Sequence, residues 1–271
     1  MKLRVGRIPF LVCAPFFHDF LLDRNDDDVD FVDGPPSEHC AGLKNGSIHL
    51  SPASSIVFAQ KPGAFVLSPS LCTSCSFEVR SVKLFSKFPI EDLSGRQVRL
   101  SSQSQTSIAL LRILLEQRYG IKPEYVSGVA AEEGDAACLL IGDLALEENE
   151  RHRFAYAYDL ATLWQEWQGL PFVFGAWVVS KEALVSGLRP ALERYLERTE
   201  ESIEKFRRDV SGSLDRWLAK YPVKLPRPLV EDYYKVLDYR FTQERKDSLA
   251  IFFKFAARMG LVGVAPELEF V

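Results

Sequence analysis

The 271-residue sequence predicts an α/β protein of two lobes, with a ligand cleft between them and a helical C-terminal tail. Short apolar runs alternate with helical patterns in the first third of the chain, which indicates βαβ units and a parallel sheet. A strand followed by a serine-rich segment and a helix occurs twice, once in each predicted lobe. From Lys181 onward the pattern is helical and rich in charge, with prolines interrupting it.

The first lobe begins with a βαβαβ pattern. Pro9 ends the first strand, and Pro15 is suited to the first turn of the helix that follows. Gly46 is placed to stop the second helix. The predicted strands span residues 3–8, 29–32 and 48–50, and the predicted helices span 15 to about 22, 37–43 and 56–60.

The second lobe and the tail follow from the same patterns. Strands are predicted at 82–86, 97–101, 136–141 and 171–180, and helices at 108–119 and 163–168. The tail is predicted to contain helices near 181–209, 213–220, 228–237 and 243–258. We expect residues 1–85 and 178–271 to form the first lobe and residues 86–177 to form the second.

Composition and charge limit the classes of partner. Lys and Arg number 33 against 37 Asp and Glu, a net charge of −4, so we expect no nucleic-acid partner. No run of about 18 apolar residues occurs, so we expect no membrane span. The N-terminal residues lack a signal-peptide pattern, which predicts a cytoplasmic protein with reduced cysteines. The expected partner is a small anionic molecule, and the expected state is a monomer or homodimer.

The two serine-rich segments are the best candidates for an anion site. Each precedes a helix, whose first N–H groups are unpaired and carry partial positive charge, and the hydroxyls add further donors. Because ligands of open α/β sheets bind beyond the carboxyl ends of strands, both segments are expected at one cleft. The alternative is that Ser104 or Thr106 only caps its helix. The candidate residues are Ser54, Ser55, Ser102, Gln105, Thr106 and Ser107.

Other candidates have a structural alternative. Phe10 and Phe174 could line the cleft or belong to the core, as could several tryptophans. Asp143 follows a predicted strand, where it could orient a hinge or a substrate hydroxyl, or cap a helix. The Cys72–Cys75 pair is a weak signal for zinc or redox chemistry, and small residues that line a substrate are the favoured interpretation. The residues therefore give no strong signal for a metal site.

Several segments taken together resemble the chorismate dehydratase family of the futalosine route to menaquinone. The similarity covers roughly residues 3–180. The segments that carry it are Arg7-Ile8-Pro9-Phe10-Leu11, Ser51-Pro52-Ala53-Ser54-Ser55-Ile56, Ser81–Ser86, Ser101–Leu111, Leu140-Ile141-Gly142-Asp143, and Leu163–Trp167 with Gly169–Phe174. The resemblance implies a type 2 periplasmic-binding-protein fold used as a cytoplasmic enzyme without a cofactor. The implied reaction is loss of water from chorismate to give 3-[(1-carboxyvinyl)oxy]benzoate.

The resemblance also implies roles for individual residues. The second serine-rich segment would hold one substrate carboxylate, and Ser54 and Ser55 would make the contact from the other lobe. The family pattern has Asn at the position of Val12, whose side chain cannot form hydrogen bonds. His18 and Ser86 are candidates to take over the catalytic contact of that Asn. The alternative is a non-catalytic protein that binds chorismate or a hydroxybenzoate.

Overall fold

In the computed structural model, which describes residues 2–21, 28–185 and 187–271, the chain forms two β-sheets surrounded by helices. The strands of the described residues are β1 (Leu3–Arg7), β2 (Val29–Asp33), β3 (Leu50–Ser54), β4 (Phe65–Cys75), β5 (Val82–Ser86), β6 (Gln97–Ser101), β7 (Glu124–Gly128), β8 (Ala137–Ile141), β9 (Tyr156–Asp159), β10 (Phe172–Ser180) and β11 (Asp238–Arg240). The first sheet has the order β11-β4-β10-β3-β1-β2, and the second has the order β7-β6-β8-β5-β9. The predicted two-lobed α/β class is confirmed.

Most of the predicted helices are present, but the helix Asp143–Arg151 was not predicted, and the helix predicted at 108–119 begins at Gln105. Those of the described residues are α1 (Ala14–Phe17), α2 (Pro36–Asn45), α3 (Ile56–Gln60), α4 (Gln105–Ile113), α5 (Asp143–Arg151), α6 (Leu160–Gln168), α7 (Lys181–Val185), α8 (Arg189–Arg208), α9 (Val210–Lys220), α10 (Arg227–Tyr233) and α11 (Gln243–Arg258). The long helix predicted near 181–209 is two helices, and Gly187 between them has a left-handed φ of 76°. The predicted end of the first helix, near Leu22, lies outside the described residues.

Parallel pairing sets the direction of both sheets. β1 is parallel to β2 and β3, and β6 is parallel to β7 and β8, which confirms the βαβ interpretation. β5 and β10 run antiparallel to their neighbours. The third strand was predicted to end at Leu50, but β3 begins there and carries its hydrogen bonding through the first serine-rich segment to Ser54. Ser51 and Ser54 therefore lie within β3, and Ser55 follows its end.

The chain passes between the sheets after β4 and again before β10. The expected lobe boundaries at 85/86 and 177/178 fall inside β5 and β10. Strand pairing puts all of β5 in the second sheet and all of β10 in the first. Residues 82–85 therefore pair with the second lobe, and residues 172–177 pair with the first.

The tail completes the core of the first lobe. β11 pairs with β4, and α8 packs against α1. Trp177 of β10 is fully buried, with its ring centroid 5.3 Å from that of Phe16. Burial of one such aromatic side chain contributes roughly 1.5–3 kcal/mol to folding. The structural alternative is thus confirmed for Trp177, and for Trp164, which is also fully buried.

Candidate ligand cleft

A cavity that is partly open to solvent lies between the lobes. Its lining comes from both sheets and from the chain crossing after β4: Ile8, Phe10, Val12, Cys13, Pro36, Pro52, Ala53, Ser54, Thr73, Val79, Ser81, Val82, Ser104, Ser107, Ile141, Gly142, Phe174 and Gly175. None of these lining side chains carries a formal charge, so the cavity presents hydroxyls, backbone groups and apolar side chains.

The hydroxyls of the two lobes meet on one side of this cavity. Ser54 Oγ at the end of β3 lies 3.5 Å from Ser104 Oγ at the start of α4. Ser104 Oγ in turn lies 2.9 Å from Ser107 Oγ. The sequence analysis expected Ser54 and Ser107 at the site, and both line the cavity. The predicted convergence of the two serine-rich segments therefore occurs in the structure.

Ser104 caps a helix and also lines the cavity. It is the N-cap of α4, and its Oγ accepts a hydrogen bond from the Ser107 N–H at 3.3 Å. The capping interpretation thus applies to Ser104, which also lines the cavity. At the same helix end, the carbonyl oxygen of the Gln105 side chain is buried without a hydrogen-bond partner among the described residues. Gln105 is not among the residues that line the cavity.

Thr106 and Ser55 lie deeper than expected. Thr106 Oγ1 accepts a hydrogen bond from the Ile56 N–H at 3.1 Å and lies 3.2 Å from Ser55 Oγ. Ser55 Oγ also donates to the Val173 carbonyl at 2.9 Å. Both residues are completely buried and absent from the cavity lining. They join the two lobes to each other, and their hydroxyls are occupied by the protein itself.

Ser102 was expected to bind substrate, but the structure exposes it to solvent outside the cavity. Its N–H donates to the Gly128 carbonyl at 2.9 Å, which ties it to the edge strand β7. The chain between β6 and α4 turns away from the cleft at this point and returns at Ser104. Ser102 therefore does not reach a ligand in the cavity.

Ser86 and His18, the two residues expected to act in catalysis, are also outside the cavity. β5 runs antiparallel to β8, so Val82 lies at the cleft and Ser86 lies at the far end of the strand, roughly 13 Å away. Ser86 Oγ donates to the Phe88 carbonyl. His18 Nε2 contacts the Ser202 carbonyl of α8 at 2.8 Å, and burial lowers the pKa of the imidazole.

Much of the remaining lining is apolar. Phe10 and Val12 follow β1, and Phe174 comes from β10, so all three predicted contacts line the cavity. The ring of Phe10 packs against Gly142, where an added Cβ would lie 3.4 Å from the ring. Gly142 has φ 61° and ψ −144°, a backbone conformation accessible essentially to glycine alone. Phe10, Val12 and Phe174 therefore give the cavity an apolar surface.

Asp143 follows Gly142 of this lining. It is the first residue of α5, and Gly142 takes the N-cap position, so the capping alternative for Asp143 is wrong. Its Oδ1 accepts a hydrogen bond from the Leu11 N–H at 3.4 Å, a contact between the lobes. Burial raises the pKa of this carboxyl to about 6; the Leu11 N–H opposes the rise, and the nearby Glu147 adds to it.

Several lining residues were missed by sequence reasoning, among them Ser81, Pro36 and Gly175. Thr73, which lies between the two cysteines of the CxxC segment, lines the cavity. Cys72 and Cys75 are buried on the long strand β4, and burial raises the pKa of both thiols. Over the described residues, no three His, Cys, Asp or Glu side chains are grouped so that they could hold a metal ion. No helix in the same part of the chain is long and apolar enough to cross a bilayer.

Solved structures show the same fold. A protein from Archaeoglobus fulgidus matches 96% of this chain and 98% of its own, with a TM-score of 0.78 and 19% identity. The alkanesulfonate-binding protein of Xanthomonas axonopodis pv. citri, bound to MOPS, matches 98% of this chain and 96% of its own, with a TM-score of 0.72 and 14% identity. The chain therefore has a periplasmic-binding-protein-like fold, as the sequence resemblance implied.

Sequence comparison identifies the family. A chorismate dehydratase from Thermus thermophilus is 29% identical over 249 residues, which cover 83% of this chain and 85% of the relative. The family model described as menaquinone biosynthesis matches residues 3–258. Because this match extends over nearly the whole chain, from β1 to the end of α11, the protein belongs to the menaquinone biosynthesis family.

Proposed function

We propose that this protein is a chorismate dehydratase, which converts chorismate to 3-[(1-carboxyvinyl)oxy]benzoate and water. The observation that carries the proposal is the cavity itself. Ser54, Ser104 and Ser107 line this uncharged cavity together with two aromatic residues, Phe10 and Phe174. The match to a family of menaquinone biosynthesis and the similarity to the Thermus thermophilus dehydratase support the same reaction.

The proposed chemistry uses few protein groups. The ring proton beside the enol ether is acidified by conjugation with the ring carboxylate, and its removal spreads negative charge onto that carboxylate. Ser104 and Ser107, at the positive end of α4, would stabilise this charge. Loss of the neighbouring hydroxyl then completes the benzene ring, so aromatisation supplies the driving force.

The base is proposed to be the second carboxylate of the substrate. No lining side chain of the described cavity is a charged acid or base, which favours an internal base. The carboxylate takes the ring proton and passes it to the departing hydroxyl, which leaves as water, so atoms and charge balance. The protein then contributes mainly orientation: Phe10 and Phe174 hold the ring while the hydroxyls hold the carboxylate.

Incubation of the purified protein with chorismate tests the proposal. Formation of the benzoate product, followed by absorbance and identified by mass spectrometry, is the expected result. Ser107→Ala should lower kcat/KM because one donor to the carboxylate is lost, whereas the exposed Ser102→Ala is a matched control that should behave like the parent. Absence of product from folded protein would contradict the proposal.

One observation favours a second candidate function. Val12 lines the cavity at the position where the resembling family has Asn, and its side chain offers no hydrogen bond to the leaving hydroxyl. A protein with this substitution could bind chorismate or a hydroxybenzoate without converting it. Tight binding without consumption by the parent, together with turnover by Val12→Asn, would favour this function. Equal turnover by both would favour the dehydratase and show that Val12 does not limit it.

A further inference from the structure

Three tyrosines of the tail lie directly behind the cleft and contact its wall. Tyr234 donates a hydrogen bond from its hydroxyl to the Leu11 carbonyl at 2.7 Å, and Tyr239 donates to the Val12 carbonyl at 3.0 Å. The hydroxyl of Tyr233 lies 2.7 Å from Ser81 Oγ, and Ser81 is itself part of the lining. Between 152 and 227 residues separate the partners in sequence.

The tyrosine rings are themselves held in place. Tyr234 packs on Phe206 of α8 with centroids 4.7 Å apart, and Tyr239 packs edge-on against Phe16 at 5.1 Å. Tyr239 is buried, and burial raises the pKa of both phenols well above the ordinary value. Both hydroxyls therefore stay protonated and donate from fixed positions.

The loop that receives these bonds has little support of its own. Leu11–Cys13 is a single 3₁₀ turn, and its internal hydrogen bonds are those from Cys13 to Phe10 and from Ala14 to Leu11. Such short turns have poor hydrogen-bond geometry. External donors to two successive carbonyls fix the peptide planes on both sides of Val12 and thereby the direction of its side chain.

The same segment also holds the chain crossing after β4. Asp232 accepts a hydrogen bond from the Arg80 guanidinium at 2.5 Å, one residue before Ser81. Arg80 has a left-handed φ of 63°, a conformation that a non-glycine residue rarely adopts. Two adjacent residues of the crossing are thus bonded to two adjacent residues of the tail.

We propose that Tyr234 and Tyr239 are positioning residues that set the Val12 side of the cleft, and that Tyr233 does the same for Ser81. The catalytic consequence rests on the proposed function, but the positioning does not. Removing the two hydroxyls would free the 3₁₀ turn while leaving the apolar rings packed. The loop would then sample positions in which Val12 and Phe10 no longer hold the substrate ring.

The test compares Tyr234→Phe, Tyr239→Phe and the double variant with Tyr158→Phe. Tyr158 is a matched control, because its hydroxyl accepts a backbone hydrogen bond from Ile90 at 3.0 Å in the second lobe, away from the cavity. The first readout is the rate at which iodoacetamide labels Cys13, resolved by peptide mass spectrometry. Cys13 lies on the same turn and lines the cavity, and Cys40 is a buried internal reference.

We expect Cys13 labelling about tenfold faster in the double variant, with Cys40 labelling and the Tyr158→Phe control unchanged. With chorismate, kcat should fall about tenfold while KM changes less than about threefold, because the interaction is needed for alignment more than for binding. Faster Cys13 labelling in the double variant, together with a parent that does not convert chorismate, would support positioning and contradict only the proposed function. Unchanged Cys13 labelling, or equal acceleration at Cys40, would overturn the inference.

Discussion

The hydroxyl oxygens of Ser55 and Thr106 lie 3.2 Å apart, although Ser55 precedes a helix of the first lobe and Thr106 belongs to the first turn of a helix in the second. Thr106 Oγ1 also accepts the Ile56 N–H at 3.1 Å. Both residues are completely buried. The pair therefore joins the lobes beside the cavity, and its main contribution is to the folded arrangement of the two halves.

Replacing Thr106 with Val should lower the free energy of unfolding by about 1–3 kcal/mol, because the buried Ile56 N–H loses its acceptor. Urea denaturation followed by circular dichroism measures this change. Thr162→Val is the control, since the Thr162 hydroxyl makes a long, exposed hydrogen bond of 3.4 Å to the Phe77 carbonyl, and its loss should change stability by no more than about 0.5 kcal/mol. Equal stabilities of the two variants would contradict the assigned contact.

Replacing Ser54 with Ala should weaken chorismate binding about fivefold, because one neutral hydrogen bond from the lining is lost. Stability should change little, since the nearest hydroxyl partner of Ser54 is already 3.5 Å away. Calorimetric titration of the parent and the variant measures the affinities. A variant that binds as tightly as the parent would show that this hydroxyl does not face the ligand.

Replacing Asp143 with Asn should stabilise the protein more at pH 7 than at pH 4. Burial holds the carboxyl pKa near 6 in the folded state, above its ordinary value of 3.8. The folded state therefore binds more protons than the unfolded state between these values, and the stability of the parent falls as pH rises through them. The Asn variant lacks this cost, so the difference in unfolding free energy should shift by up to about 3 kcal/mol.

Urea unfolding of the parent and Asp143→Asn at both pH values checks this sign. If the difference in unfolding free energy between the parent and Asp143→Asn is the same at both pH values, the carboxyl is solvated or paired in the folded protein. A larger advantage for Asn at pH 4 would reverse the expected linkage and contradict the assignment.

Replacing Asp159 with Ala should lower the free energy of unfolding by about 2–4 kcal/mol. Its buried carboxylate accepts N–H groups of Val79 at 3.1 Å and Arg80 at 2.7 Å in the chain crossing, and it also caps α6. Asp209 is an exposed cap of α9 that accepts only the Gly212 N–H, so Asp209→Ala should cost about 1 kcal/mol. Equal losses would mean that the contact with the crossing adds nothing.

Local pattern was sufficient for much of the fold. β5, β6 and α11 begin and end at the predicted residues, because apolar periodicity and flanking turn residues mark them clearly. β4 was missed, since its serines, proline and cysteines resemble a loop and only pairing with β10 makes it a strand. The meeting of Ser54 with the second serine-rich segment could be predicted because each lies at the carboxyl end of a strand, one in each sheet, and ligand clefts form at such ends.

The remainder of the site depends on contacts that no local pattern records. Ser86 was misplaced because the direction of β5 follows from its antiparallel pairing with β8. His18 was misplaced because α1 packs against α8, a helix more than 170 residues away, and carries the imidazole into that interface. The tyrosines behind Val12 gave no sequence signal, since a buried tyrosine donor resembles any core aromatic residue.

The two rims of the cleft are unequal in strength. On the β10 side, Thr106 Oγ1 accepts the Ile56 N–H at 3.1 Å. On the Phe10 side, Asp143 Oδ1 accepts the Leu11 N–H at 3.4 Å, which is a longer hydrogen bond. When the lobes separate to admit or release a ligand, the longer of the hydrogen bonds that join them should break first. We therefore expect the lobes to separate first at the Leu11–Asp143 contact, so that ligands enter and leave the cleft on that side.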